Sequence, residues 1–185
     1  QNVDPSCAEN VCQGIRECGM TVIFETQAVS IEKIKNKLSV DLSSNQHLEA
    51  DAVIIGKGVN PNIRLVEESE IEINQGILVD ETMRTNLPNV FAAGDVAEGL
   101  NLITGQRQVI ATWPNACSQG QTAGINMTGG MDRNQGLNNN ICGFLGSSVA
   151  SVGITKPDNN DYEEGVSEDP AKGRYRKLVW NKKDE

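Results

Sequence analysis

Asp95 stands behind Gly94 at the end of the apolar run Val90-Phe91-Ala92-Ala93, and it has the strongest claim to chemistry in this chain. A carboxylate at the end of a strand can accept hydrogen bonds from ligand hydroxyls, and open α/β sheets bind ligands at that edge. The glycine before it lets a ligand approach the backbone closely. Spacing alone fits an Asp that caps the next turn equally well. Other residues offer less. Cys7 and Cys12 have the C-x4-C spacing of a redox disulfide, but residues five apart on a helix sit roughly 140° apart around its axis. A disulfide needs converging side chains with Cα atoms within about 7 Å. The five cysteines are therefore expected to be unpaired and to serve as small apolar residues. Gly56-Lys57-Gly58 is a partial G-x-G, yet Asn60-Pro61-Asn62 follows where a phosphate-binding helix should open, so it reads as a turn. His47 is the only histidine and lies among Ser43, Ser44, Asn45 and Gln46, which reads as a polar loop without a catalytic or metal-binding partner. No metal site is expected. Glu67-Glu68 and Glu163-Glu164 read as solvated charge.

The elements that would position these residues follow from periodicity and punctuation. Asp4 can cap a helix that opens at Pro5, carries Cys7, Val11, Ile15 and Cys18 on one face, and stops at Gly19. Met20 to Glu25 reads as a strand, and Ala28 to Ile34 with Leu38 to Leu42 as two strands turned at Lys35-Asn36-Lys37. Ala52 to Ile55 is a continuous apolar run, expected as a strand covered on both faces. Ile63 to Glu68 reads as a short helical stretch, and Ile71 to Ile73 with Ile77 to Val79 as strands around Asn74-Gln75-Gly76. Val53 to Ile55 and Val90 to Ala92 are expected to be buried parallel strands in two different sheets. A helix is predicted from Pro114 to about Met127, capped by Thr112, ended by Gly129-Gly130, with Ala116, Gly120, Ala123 and Gly124 facing inward. Ser148 to Ile154 and Tyr175 to Trp180 read as strands separated by an acidic loop from Asp158 to Asp169, the last strand having no partner.

Composition narrows the function. The charge is 16 − 25 = −9, which argues against nucleic acid as a partner because phosphate backbones are bound by clustered Lys and Arg. No apolar run approaches the roughly 20 residues that span a bilayer, and Gln1-Asn2-Val3-Asp4-Pro5 does not resemble a signal peptide. Reduced thiols and a cytoplasmic location are the expectation. Aromatic residues make up only 4%, which suits a Val/Ile-rich α/β protein.

The segment Thr85-Asn86-Leu87-Pro88-Asn89-Val90-Phe91-Ala92-Ala93-Gly94-Asp95 resembles the second flavin motif, T-x-x-x-x-V-[FY]-A-x-G-D, of the pyridine nucleotide-disulfide oxidoreductase family. Asp51 to Asn62, with Gly58, Pro61 and Asn62, resembles that family's crossover from the NAD-binding domain to the FAD domain. Trp113-Pro114-Asn115-Ala116 onward resembles the helix whose amino end faces the flavin. Gly143 to Gly153 and Tyr175 to Trp180 resemble the opening strands of its interface domain, and the whole is most similar to the nitrite reductase and NADH oxidase branch. The resemblance implies an α/β fold that is part of an FAD/NAD(P)-binding, Rossmann-like two-domain flavoprotein plus the start of an α+β interface domain. Residues 1–58 would be the second half of an NAD(P)-binding domain, 59–130 the second half of an FAD-binding domain, and 131–185 the beginning of the interface domain. It further implies FAD and NAD(P)H as cofactors of the intact protein, with Gly94, Asp95, Trp113, Pro114, Asn115, Ala116 and Gly58 at the cofactor and no catalytic side chain, since the flavin carries the redox chemistry.

Both G-x-G-x-x-G motifs of the family are missing, as are the His and Glu of its thiol-reducing members. The chain therefore reads as a fragment of an FAD-dependent NAD(P)H oxidoreductase, colourless and inactive on its own. The electron acceptor, small molecule or protein, is not specified, and a homodimer through the carboxyl-terminal domain is a further implication. The alternative is a non-catalytic module that keeps the fold for packing or subunit association.

Overall fold

The structure, a computed structural model, describes residues 3–134, 136–144, 147–157 and 160–183. Helix α1 (Pro5–Glu17) starts where the Asp4 carboxylate accepts hydrogen bonds from the Ser6 and Cys7 N–H groups, at 3.0 and 3.2 Å. It stops at Gly19, whose φ of +80° suits a residue without Cβ. Cys7, Val11 and Ile15 are half-buried, whereas Cys18 is exposed, so the expected stripe covers three of its four positions. All five cysteines are free, as expected, but none is buried and Cys18, Cys117 and Cys142 are exposed, so they are not the small apolar core residues that the sequence suggested. The chain forms two compact units, one from Cys12–Gly58 and one from Gln1–Val11 with Val59–Glu185.

The first of these holds a three-stranded antiparallel meander, β1 (Ala28–Ile34), β2 (Lys37–Leu42) and β3 (His47–Ala50). The β1–β2 hairpin forms where the sequence places it, with Ile34 opposite Lys37 and Lys35 at φ +56° in the turn. β3 corrects the reading of His47 as a loop residue: His47 lies opposite Asp41, and Leu48 opposite Val40. Two expected strands do not form. Met20 to Glu25 and Ala52 to Ile55 run without a hydrogen-bonded ladder, and Ile54 is 96% exposed. A parallel strand exists only through bonds to its neighbours, and among the described residues neither segment is paired.

In the other unit, β4 (Ile77–Leu78) pairs in parallel with β5 (Ala97–Leu100), which pairs antiparallel with β6 (Arg107–Val109). Helix α2 (Trp113–Met127) packs beside this small sheet, and Ile77, Val79, Met83, Ala92, Ala97 and Ala123 form the core. Ile63 to Glu68 folds as consecutive turns rather than a helix, with Val66 N–H on Ile63 O at 2.9 Å and Ser69 N–H on Val66 O at 3.1 Å. So short a stretch does not repay helix nucleation. Ile71 to Ile73 contributes one bridge, Ile73 to Ile77. The run Val90 to Ala93 is not the expected parallel strand either. Phe91 makes a single antiparallel bridge to Arg84, and Ala92 N–H bonds Met83 O at 3.1 Å.

Two antiparallel hairpins follow, β7 (Asn139–Phe144) with β8 (Ser147–Val152), and β9 (Tyr162–Asp169) with β10 (Arg174–Asn181). The acidic segment is thus a strand from Tyr162, correcting both its reading as a loop and the expectation that the last strand lacks a partner; Asp158 lies outside the described residues. Its Glu, Asp, Gly and Ser content has little strand propensity. Cross-strand contacts override that, including a Lys177–Glu164 ion pair at 2.7 Å. Among the described residues no helix is long and apolar enough to cross a membrane.

Candidate functional site

The Thr85–Asp95 segment is built as a sequence of locked turns. Thr85 is buried, and its Oγ1 donates to the main chain, with Leu87 O at 3.3 Å and Val90 O at 3.0 Å, while it accepts from Leu87 N–H at 3.1 Å. That hydroxyl closes the loop before the apolar run together with two main-chain bonds, Thr85 N–H to Val90 O at 3.0 Å and Val90 N–H to Leu87 O at 3.1 Å. Arg84 lies over the Phe91 ring at 5.2 Å, a cation–π contact that fixes the aromatic position. Ala92 is buried in the core and carries the chain to Gly94, where φ is +83°. Only glycine adopts that backbone without strain. Gly94 N–H donates to Gln119 Oε1 of α2 at 2.8 Å, and Gly94 O accepts from Ala97 N–H at 2.9 Å, closing a tight turn with Asp95 at its outer corner. Asp95 is exposed, and its carboxylate has no partner among the described residues.

The same turn lies against the first turns of α2, since a Cβ added to Gly94 would come within 3.8 Å of Ala116 Cβ. Pro114 in the first turn pre-sets helical geometry without needing a hydrogen bond. The first helical bond runs from Ala116 N–H to Thr112 O, so the N–H groups of Trp113 and Asn115 precede it. Thr112 is at the cap position, as expected, but its side chain makes no capping bond, and the first turn holds no acidic residue. The positive end of the helix dipole is therefore left uncapped by side chains. Trp113 is 83% exposed beside it. The helix ends where expected, with Gly129 at φ +88° and Gly130 N–H returning to Ile125 O at 3.0 Å.

The inner face of α2 agrees with the sequence reading at Ala123, which is buried, and at Ala116, which is half-buried, and corrects it at the two glycines. Gly120 and Gly124 face open space, and the buried stripe is Asn115, Gln119, Thr122, Ala123 and Asn126. Each polar member ties down a loop. Asn115 Nδ2 donates to Ile110 O at 3.0 Å, Thr122 Oγ1 to Asp132 Oδ2 at 2.7 Å, and Asn126 Nδ2 to Thr82 O at 2.9 Å and Asp132 O at 2.8 Å. The signal was the 4, 3, 4 spacing of Asn115, Gln119, Thr122 and Asn126, which marks a helix face whatever its polarity.

Glu98, also missed, is a buried carboxylate that accepts from Asn74 Nδ2 at 2.9 Å, Gln75 N–H at 2.8 Å and Gly76 N–H at 3.0 Å. Burial pushes its pKa up, but these hydrogen bonds outweigh burial and hold it below the ordinary 4.5. It is a pin for the turn into β4, not a group facing a ligand. Gly58, at φ +83°, closes the other unit, whereas Gly94, Asp95 and the first turn of α2 share one unit.

His47 has partners after all. Its Nδ1 lies 2.8 Å from Asp41 Oδ1, and Ser39 Oγ lies 3.2 Å from Nε2 and 3.5 Å from Nδ1. Near-equal distances to both ring nitrogens put the hydroxyl beside the ring, not in line with either lone pair, so the trio lacks the geometry of a nucleophile and its base. Among the described residues no cluster of three His, Cys, Asp or Glu could hold a metal ion.

A glycine-turned carboxylate thus lies beside an uncapped helix amino terminus on an α/β frame, where free backbone N–H groups can face an anion. The family model for pyridine nucleotide-disulphide oxidoreductases matches residues 1–120, and this chain belongs to that family. It is 31% identical over 181 residues to the NADH-dependent phenylglyoxylate dehydrogenase subunit epsilon of Aromatoleum evansii, covering 96% of this chain and 42% of that protein. Among solved structures, an NAD-dependent persulfide reductase from A. fulgidus superposes with a TM-score of 0.82 at 26% identity, over 98% of this chain and 36% of that one. An FAD-dependent pyridine nucleotide-disulphide oxidoreductase from Desulfovibrio vulgaris gives 0.75 at 26% identity, over 82% and 39%. The chain thus spans about two fifths of the length of these three proteins.

Proposed function

We propose that this chain is part of an FAD-dependent NAD(P)H oxidoreductase. Residues 1–58 would close an NAD(P)-binding domain, 59–130 would form the second half of an FAD-binding domain, and 131–185 would open an interface domain. The observation that carries this reading is the Gly94–Asp95 turn, held by Gln119 beside the uncapped first turn of α2. The donor set suits the cofactor. The unpartnered Asp95 carboxylate can accept from ribityl hydroxyls, and the N–H groups at Trp113 and Asn115 can face the electron-rich pyrimidine edge of the flavin. Gly94, with Ala116 behind it, keeps the approach to the backbone free of side chains, and Pro114 fixes the helix start. Gly58 would serve at the crossover between the two dinucleotide domains. Bound there, the flavin would supply hydride acceptance from NAD(P)H and electron transfer to an acceptor. The names of the relatives, NADH-dependent and FAD-dependent, support this assignment.

The test compares two proteins. In the longer protein of which this chain is a part, Asp95→Ala is expected to weaken FAD binding about tenfold or more, through loss of charge-assisted hydrogen bonds of roughly 1.5–3 kcal/mol. The 185-residue chain alone is expected to be colourless and without NAD(P)H oxidase activity, because it has no glycine-rich loop for either pyrophosphate. Unchanged flavin content in the Asp95→Ala protein would remove Asp95 from the site.

A further inference from the structure

Trp113 opens α2 and is 83% exposed, whereas the chain's other tryptophan, Trp180, is 39% exposed. Its indole N–H makes no hydrogen bond among the described residues. A tryptophan in a packed site contributes roughly 150–250 Å² of contact area, and here nearly all of it faces water. The backbone that carries the ring is already set. Thr112 before it is extended, at φ −130° and ψ 145°, and Pro114 after it narrows the angles open to Trp113 itself. Ala116, three residues on, is the neighbour of Trp113 along the helix surface, and it is also the residue that meets the Gly94 turn, where an added Cβ would stand 3.8 Å away. The exposed ring, the glycine turn and the free N–H groups of the first turn therefore lie together at one end of α2.

We propose that the Trp113 indole forms one wall of the flavin site, in contact with the ring system whose pyrimidine edge meets the N–H groups of the same turn. The inference rests on the assignment of FAD to this site and adds to it a side-chain contact. An indole and a flavin ring both offer flat, polarisable faces, which gain from contact beyond the area that they bury. Water leaves both faces at once. Gly94 and Ala116 have too little side chain to cover a ring of that size, Asp95 serves the ribityl hydroxyls, and Pro114 and Asn115 act through the main chain, so the aromatic contact at this helix end falls to Trp113. Its exposure in this chain is then the exposure of a wall without its ligand.

The test uses the longer protein carrying FAD and its Trp113→Leu, Trp113→Phe and Trp113→Tyr variants, which spare the fold because the side chain is exposed. An indole or phenol touching a flavin donates an electron to its excited state and suppresses its emission, whereas a phenyl or aliphatic side chain does not. Bound flavin is therefore expected to be dim in the parent and in Trp113→Tyr, and to lose that suppression in Trp113→Leu and Trp113→Phe. FAD affinity is expected to fall about two- to tenfold in Trp113→Leu and less in Trp113→Phe, which keeps an aromatic face. A second readout is acrylamide quenching of the indole emission that Trp113→Phe removes: this emission is expected to be accessible once FAD is stripped and shielded when FAD returns. Equal flavin emission in all four proteins, or an indole that acrylamide cannot reach even without FAD, would overturn the proposal. If Asp95→Ala still releases FAD in that case, the flavin assignment stands and only the role of the indole falls; a longer protein that binds no FAD overturns both.

Discussion

Asp41 shows how a single side chain acquires its properties from register rather than sequence position. It lies opposite His47, with Nδ1 at 2.8 Å, and accepts from Ser30 Oγ at 2.7 Å. The hydrogen bond from His47, then that from Ser30, holds its carboxyl below the ordinary 3.8. A depressed carboxyl contributes stability that is present above the ordinary value and lost as pH falls through the lowered one. His47→Ala is therefore expected to move the Asp41 titration, followed by carboxyl 13C shifts, back up toward 3.8, with Ser30→Ala moving it less. Because both partners are more than half exposed, the change in stability at neutral pH is expected to be small. An Asp41 titration that ignores His47 would mean the pair does not persist in solution.

Among the elements, the β1–β2 hairpin carries a cost that can be removed. Its two-residue turn places Lys35 at φ +56°, a conformation that costs a residue with a Cβ roughly 1–2 kcal/mol and glycine almost nothing. Lys35→Gly is expected to stabilise the chain by about 1 kcal/mol, partly offset by the added freedom of glycine when unfolded, and this is measurable as a higher denaturant midpoint at unchanged slope. A lower midpoint would show that the Lys35 side chain contributes more than its backbone costs. This hairpin was legible because alternation and a short polar turn are local signals, as were α1, read from Asp4, Pro5 and Gly19, and α2, read from Pro114 and Gly129. Ala52 to Ile55 was misread because hydrophobicity reports a wish for burial, while a parallel strand needs a neighbour that no local pattern supplies. β3 and β9 were missed for the opposite reason: His47 to Ala50 and Tyr162 to Asp169 are rich in polar residues, and only pairing with β2 and β10 makes them strands. The candidate site divides the same way. The Thr85–Asp95 motif was visible, and the hydroxyl lock of Thr85 gives its first residue a physical role. Gln119, which holds Gly94, lies 25 positions away and was invisible to any window.

At the scale of the whole molecule, two residues 171 positions apart meet in one contact: Tyr175 O–H on β10 donates to Asp4 Oδ1 at 2.8 Å. The same carboxylate caps α1, so the amino-terminal turn and the carboxyl-terminal hairpin share an acceptor. Burial pushes the Tyr175 pKa up, and its hydrogen bond to Asp4 adds to this, to about 12 against an ordinary 10.0. For Asp4, burial works against ionisation, yet the bonds from Tyr175, Cys7 and Ser6 prevail and hold it below 3.8. The signs are opposite in effect. The tyrosine contribution is complete below pH 10.0 and fades as pH rises through about 12, whereas the Asp4 contribution fades as pH falls below 3.8. Tyr175→Phe keeps the ring and removes only the donor. It is expected to cost about 1.5 kcal/mol at neutral pH, the worth of a hydrogen bond to a charged acceptor, and to flatten the alkaline fall in stability between pH 10.0 and about 12. The α1 cap should survive, because Ser6 and Cys7 N–H still reach Asp4, so helical circular dichroism is expected to be unchanged while urea unfolding shifts. Equal stability of the two proteins across the alkaline range would mean that this long-range contact contributes nothing to holding the two ends of the unit together.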